Sequence, residues 1–222
     1  MPRLFMFDAY GTLFDVHSAV MQAGAPLGPQ AGEFSALWRA KQLEYTWIYS
    51  AMGRADATND FAVLTERALD FCLAKFGINP PGLRASLLNA YQTLSTFPDV
   101  AASLTDLKSA GNQTAIFTNG TLAMVNAAMN AAGIAPLIDF TITVEGTNRF
   151  KPDPNVYQHA HAAVGSPAIA NIVFVSSNRW DVAGAANYGF TPIWCNRTGQ
   201  PPEYVGLDPV VMVPDLSGIG GV

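Results

Sequence analysis

The sequence predicts an α/β fold: a doubly wound, mainly parallel Rossmann-like sheet interrupted by an inserted all-helical cap subdomain. Three observations carry this prediction. Short apolar runs bounded by turn residues recur along the chain, as strands buried on both faces require. Segments of helical spacing alternate with them, which argues for a parallel sheet. About a hundred residues of mostly helical pattern also separate the first run from the second.

The first strand is placed at Leu4–Phe7, stopping at Asp8. The inserted helices follow. Phe34, Leu37, Trp38, Tyr45, Ile48, Tyr49 and Met52 recur at helical spacing, as do Phe61, Leu64, Ala68, Leu69 and Cys72, and 83–94 adds another helix. Further strands are predicted at 114–117, 140–144, 172–175 and 192–195, with a sixth at 210–213. Helices at 122–132, 155–164 and 180–188 lie between them, the last two closed by Gly165 and Gly189. With joints near 14–15 and 95–98, residues 1–14 plus 97–222 are expected to form the core domain and 15–96 the cap.

Composition excludes several classes. With 50% hydrophobic and 13% charged residues the chain is not a disordered one. A net charge of −5 and no basic run argue against a nucleic-acid partner. Cys72 and Cys195 sit in apolar context and read as buried small hydrophobes, not as a disulfide scaffold. The apolar start halts at Asp8, unlike a signal peptide, and no apolar run reaches the ~18–20 residues that span a bilayer. The expectation is a soluble, cytoplasmic protein without a membrane partner. The low charged fraction fits either surface buried in an oligomer or Ala-rich helices.

In open α/β sheets ligands bind at the carboxyl ends of the strands. The first strand ends in Asp8-Ala9-Tyr10-Gly11-Thr12-Leu13, and the second in Thr118-Asn119-Gly120. After the third the chain presents Lys151-Pro152-Asp153, and the fourth ends in Ser176-Ser177-Asn178-Arg179-Trp180-Asp181. An aspartate after one strand is often only a helix cap; four such polar ends in this order are a far stronger signal.

These four segments resemble the motifs of the haloacid dehalogenase superfamily. Phe-Asp-Ala-Tyr-Gly-Thr-Leu-Phe-Asp-Val-His-Ser (7–18), Leu-Trp-Arg-Ala-Lys-Gln-Leu-Glu-Tyr-Thr-Trp (37–47) and Phe-Val-Ser-Ser-Asn (174–178) resemble its L-2-haloacid dehalogenase branch. The similarity runs over nearly the whole chain, although 53–60 departs from the family pattern.

Most of that superfamily, the resemblance implies, are Mg²⁺-dependent phosphatases with an acid two residues beyond the nucleophile. Here that residue is Tyr10, and Ser176, Ser177 and Asn178 leave only Asp181 acidic in the last motif. Mg²⁺ prefers carboxylates in near-octahedral geometry, so no metal and no cofactor are expected. A phosphate dianion beside Asp8 would meet largely unscreened repulsion. Displacement at carbon on a short 2-haloacid substrate is favoured over two other readings, an atypical Mg²⁺-dependent phosphatase and a catalytically silent binding protein.

The resemblance implies Asp8 as a nucleophile that forms an aspartyl ester, giving (R)-2-hydroxy acids from (S)-2-haloacids. Ser176, Asn178 and Asp181 are candidates to position the hydrolytic water, with Lys151 orienting Asp8 and Tyr157 supporting the Lys151 side. Thr12 and Thr118, with backbone amides near Asn119, are candidate donors to the substrate carboxylate; family members often carry Ser where Thr118 stands. By resemblance Arg39, Asn119 and Trp180 cradle the halide product, while Tyr10, Leu43, Phe61 and Trp180 wall the substrate's side chain. Gln42 and Leu43 share the helix face of Arg39, and Ala9 lies beside the nucleophile. A homodimer through the cap helices is likewise implied only by resemblance. Asp15 reads as a helix cap or hinge, and His17, His159 and His161 as solvated.

Overall fold

Leu4, Phe5, Met6 and Phe7 are all buried, leaving no polar alternation that would mark a solvent-facing side. They form β1 (Leu4–Phe7), inside the six-stranded sheet of a computed structural model that describes residues 2–221. The other strands are β2 (Gln113–Thr118), β3 (Phe140–Thr143), β4 (Ile172–Ser176), β5 (Thr191–Cys195) and β6 (Val211–Val213). Every pairing is parallel, in the order β3-β2-β1-β4-β5-β6. Each strand lies where the sequence predicts it, within one residue at either end. The chain winds outward from β1 in one direction and then in the other, so the topological switch point falls at the carboxyl end of β1.

Five α-helices lie between β1 and β2, and the first four form the inserted segment: α1 (Ser18–Ala23), α2 (Ala31–Ala51), α3 (Phe61–Phe76) and α4 (Leu83–Gln92). The Asp60 side chain caps α3 by accepting from the Val63 amide, and Gly77 closes it in the left-handed conformation. Trp38 on α2 reaches across to donate to the Thr65 carbonyl of α3 at 3.0 Å. This helical segment leaves and returns through one narrow joint. The Asp15 amide donates to the Ser95 carbonyl at 2.8 Å, and the Phe97 amide to the Leu13 carbonyl at 3.1 Å.

After it come α5 (Val100–Ser109), α6 (Leu122–Ala132), α7 (Pro154–Ala163) and α8 (Arg179–Tyr188). The sequence reading missed α1 and α5. The first is too short to show a period, while α5 buries Val100, Ser103, Leu104 and Leu107, a stripe weakened by its serine. His161 also departs from expectation. It is half-buried where α7 packs on α8, one ring nitrogen 3.1 Å from the Tyr188 hydroxyl and the other 2.7 Å from the Pro167 carbonyl. His17 is exposed, as expected, but lies 2.7 Å from the Ser35 hydroxyl; His159 is exposed. Among the described residues no helix is long and apolar enough to cross a membrane.

Candidate active site

Asp8 stands one residue beyond β1, its amide still donating to the Val175 carbonyl of β4 at 3.0 Å. The chain then coils tightly. The amides of Thr12, Leu13 and Phe14 all converge on the carbonyl of Ala9, and Gly11 adopts φ 93°, a conformation glycine tolerates without penalty. This turn swings the Thr12 hydroxyl back to donate to Asp8 Oδ2 at 3.0 Å. From the end of β4, Asn178 Nδ2 reaches the same oxygen at 2.7 Å and Ser176 Oγ at 3.4 Å.

The other carboxylate oxygen, Oδ1, faces Lys151 Nζ at 3.3 Å. The lysine side chain is wholly buried over the ring of Phe117, 4.2 Å from its centroid. Its remaining two donors go to the Phe117 carbonyl at 2.6 Å and to Asp181 Oδ2 at 2.9 Å. An ammonium has three donors, and all three are placed.

Asp181 is fully buried, and burial pushes its carboxyl up to about 6, with Asp8 adding to the rise and Lys151 opposing it. Tyr157 donates its hydroxyl to Asp181 Oδ1 at 2.6 Å. Burial, reinforced by Asp181, holds that phenol well above its ordinary range, so it remains a neutral donor. Tyr157 therefore reaches the Lys151 side through Asp181, which accepts from both.

Asp8, Tyr10, Arg39, Leu43, Phe61, Thr118, Asn119 and Trp180 line one small cavity between the sheet end and α2–α3. Arg39 enters from α2, donating to the Tyr10 carbonyl at 2.9 Å and to Gln42 Oε1 at 2.7 Å. Asn119 Oδ1 accepts from the Lys151 amide at 2.9 Å, and its NH₂ has no partner among the described residues. Tyr10 packs against Phe14, Phe61 and Tyr91. Its hydroxyl has no partner among the described residues, and burial raises its pKa. A Cβ on Gly120 would fall 2.6 Å from that ring, so the site needs glycine there.

Three predicted residues sit elsewhere in the arrangement. Gln42 is buried behind Arg39, bonded to Thr65 and Tyr91, and supports the guanidinium without lining the cavity. The Thr12 hydroxyl is already engaged, donating to Asp8 and accepting from the Ser177 amide at 2.8 Å, so it is not a free donor for a substrate carboxylate. Ala9 contributes only the carbonyl that anchors the turn. Thr118 lines the cavity, its hydroxyl accepting from the Gly120 amide at 3.0 Å.

The donor set does not suit the Mg²⁺ that the superfamily resemblance brings to mind. An ammonium stands between the two carboxylates of the site, and the remaining groups near Asp8 are hydroxyls and an amide.

Residues 2–189 match the model of the haloacid dehalogenase-like hydrolases. The chain belongs to that family. It is 43% identical over 203 residues to (S)-2-haloacid dehalogenase 1 of Pseudomonas sp. (strain CBS-3), covering 91% of this chain and 88% of that one. A crystal structure of a dehalogenase matches with a TM-score of 0.93 and 41% identity, over 97% of this chain and 94% of that one. The L-2-haloacid dehalogenase of Xanthobacter autotrophicus with chloropropionic acid covalently bound matches with a TM-score of 0.87 and 32% identity, over 100% and 98% of the two chains. This chain is thus an enzyme of the (S)-2-haloacid dehalogenase branch.

In this member of the family two supports of the nucleophile loop escape sequence reading. Arg197 pairs with both carboxylate oxygens of Asp99 at 2.9 Å and donates to the Thr12 carbonyl at 3.0 Å. Tyr91 on α4 backs Tyr10 and Gln42. Neither carries a signal that separates it from a surface charge or a core aromatic.

Proposed function

We propose that the enzyme hydrolyses short (S)-2-haloalkanoic acids to (R)-2-hydroxy acids through an ester on Asp8, without a metal ion. The observation that carries this is the Asp8 carboxylate itself, facing the cavity with Oδ2 held by Thr12, Asn178 and Ser176 and Oδ1 held by Lys151. The covalently bound chloropropionic acid of the Xanthobacter relative supports the same reading.

With three donors on Oδ2, we assign Oδ1 as the attacking oxygen. It bonds to C2 from the face opposite the halogen, the carbon–halogen bond breaks, and the halide leaves with its electron pair. Arg39 and the Asn119 NH₂ receive that charge in the cavity, where low dielectric strengthens their attraction. A carboxylate fixed in a dry pocket is a better nucleophile than in water, because its approach is preset and its hydration is removed. Water then attacks the Asp8 carbonyl carbon, Asp181 takes one of its protons, and the acyl–oxygen bond breaks as the other proton passes to the departing alkoxide. The product leaves with an oxygen from Asp8, and one carboxylate oxygen of the regenerated Asp8 comes from water.

Residues 15–96 act in this reading as a cap, since Arg39, Leu43 and Phe61 come from it, and a homodimer through its helices is part of the proposal; a monomeric mass in solution overturns that part. The central test is chloride release from EDTA-treated protein with (S)- and (R)-2-chloropropionate, with Asp8→Asn as control. Chloride and (R)-lactate from the S acid alone, lost in the variant, are expected. In a single turnover in H₂¹⁸O the label is expected in Asp8 and not in lactate. Chloride from neither acid, or only after Mg²⁺ is restored, overturns the reading.

A further inference from the structure

A second space lies on the far side of Trp180. It is a groove of about 620 Å³ whose walls include Trp47, Ala51, Phe150, Tyr204 and Leu207. Trp180 borders both this groove and the Asp8 cavity, and Lys151, whose ammonium holds Asp8, also borders the groove. Trp180 is thus common to both walls. Its indole is half-buried and meets Trp47 edge-on, with ring centroids 5.6 Å apart. It makes no hydrogen bond within the described residues, so none has to break for the ring to turn.

The outer wall is fastened. Arg179, next to Trp180, is buried, donates to the Glu203 carbonyl at 2.7 Å and lies 5.5 Å from the centre of the Tyr204 ring. Asp153, a carboxylate on the rim, is engaged by Arg149 at 3.3 Å and by the backbone and side-chain amides of Asn155. The groove is thus preformed and mainly apolar, as ligand sites for hydrocarbon are. Another space touching the Asp8 cavity, across Phe61 and Asn119, is bordered by Asp56, Asp60 and Glu145, which offer a methylene chain nothing.

We infer that the groove behind Trp180 is a subsite for the alkyl chain of longer 2-haloalkanoic acids, with Trp180 and Trp47 as the gate between the reacting carbon and the chain. This rests on the dehalogenase reading above. The reacting carbon is placed at Asp8, and the methylenes beyond it pass the indole into the groove. Each methylene buried there is expected to raise kcat/KM by up to about fourfold, the equivalent of ~0.8 kcal/mol.

The test compares halide release from (S)-2-bromopropionate and (S)-2-bromooctanoate. The wild-type enzyme is expected to turn over both, with kcat/KM for the octanoate at least equal to that for the propionate. Ala51→Trp and Asn187→Trp fill the groove from α2 and from α8, at positions exposed enough to accept an indole. Both are expected to lower the octanoate-to-propionate ratio of kcat/KM at least tenfold, chiefly through KM. Turnover of the propionate but not the octanoate by the wild type overturns the subsite, as does an equal loss on both acids in the two variants. Bromide from neither acid instead brings down the dehalogenase reading on which it stands.

Discussion

Lys151 Nζ and Asp181 Oδ2 lie 2.9 Å apart with neither side chain exposed to solvent. Asp8 shares the same ammonium from the other side at 3.3 Å. One buried cation thus serves two carboxylates, and the three charges hold each other in place. Removing one member of such a cluster leaves uncompensated charge in low dielectric. Lys151→Met is expected to abolish halide release and to lower the unfolding free energy by about 3–5 kcal/mol at pH 7. Denaturant titration of the purified variant measures the second effect; a value within about 1 kcal/mol of wild type, the size of a surface pair, is the result this arrangement does not permit.

Asp181 gives the cluster a pH signature. Burial raises its pKa from 3.8 to about 6. If ester hydrolysis limits turnover and Asp181 accepts the proton of water, kcat climbs through a limb near pH 6 that Asp181→Asn lacks. The stability sign is opposite. A carboxyl whose folded pKa is raised contributes stability that is full below 3.8 and lost as pH rises through about 6. Activity and the Asp181 contribution to stability therefore trade against each other across that window, which paired kcat and denaturation profiles between pH 4 and 8 will reveal.

The sheet was legible because strands buried on both faces cannot hide: Leu4–Phe7 and Ile172–Ser176 have no polar alternation to dilute them. Their carboxyl ends were legible for the same reason, since each apolar run stops at the residue that faces the site. What the sequence does not disclose is which donor is already taken. Thr12 and Gln42 have the chemistry to touch a substrate, and only the turn at 9–14 and the packing of α2 on α3 and α4 assign their hydrogen bonds to protein atoms. Asp99 and Arg197 stand 98 residues apart, a pairing no local pattern reports.

Gln42 provides a test of that reassignment. Its Oε1 holds Arg39 at 2.7 Å while its NH₂ donates to Thr65 and Tyr91. Gln42→Leu leaves those buried groups short of partners, a loss of about 1–3 kcal/mol in stability. Arg39 also loses its anchor, and kcat is expected to fall at least tenfold. Gln42→Glu keeps an acceptor for Arg39 and is expected to retain more activity than Gln42→Leu. The reverse order in steady-state halide release is incompatible with a role exerted through the guanidinium.

Gly184 sets how closely α8 approaches Tyr157. A Cβ there would lie 2.3 Å from the Tyr157 hydroxyl, 2.7 Å from the ring carbon bearing it and 2.9 Å from Pro152 Cβ. Alanine in a helix gains about 1 kcal/mol over glycine, whereas overpacking a core costs about 1–3 kcal/mol. The tyrosine ring is boxed in by Phe117, Phe174, Tyr188 and Phe190, so it has little room to yield and the steric effect wins. Gly184→Ala is expected to lower the melting temperature and to disturb the 2.6 Å bond from Tyr157 to Asp181. That bond lowers the Asp181 pKa, so its loss moves the activity limb above pH 6. Tyr157→Phe removes the same bond without the clash and is expected to shift the limb in the same direction. A Gly184→Ala variant with unchanged melting and an unchanged limb would mean that α8 slides away from the ring, and the coupling between Tyr157 and Asp181 would not depend on this glycine.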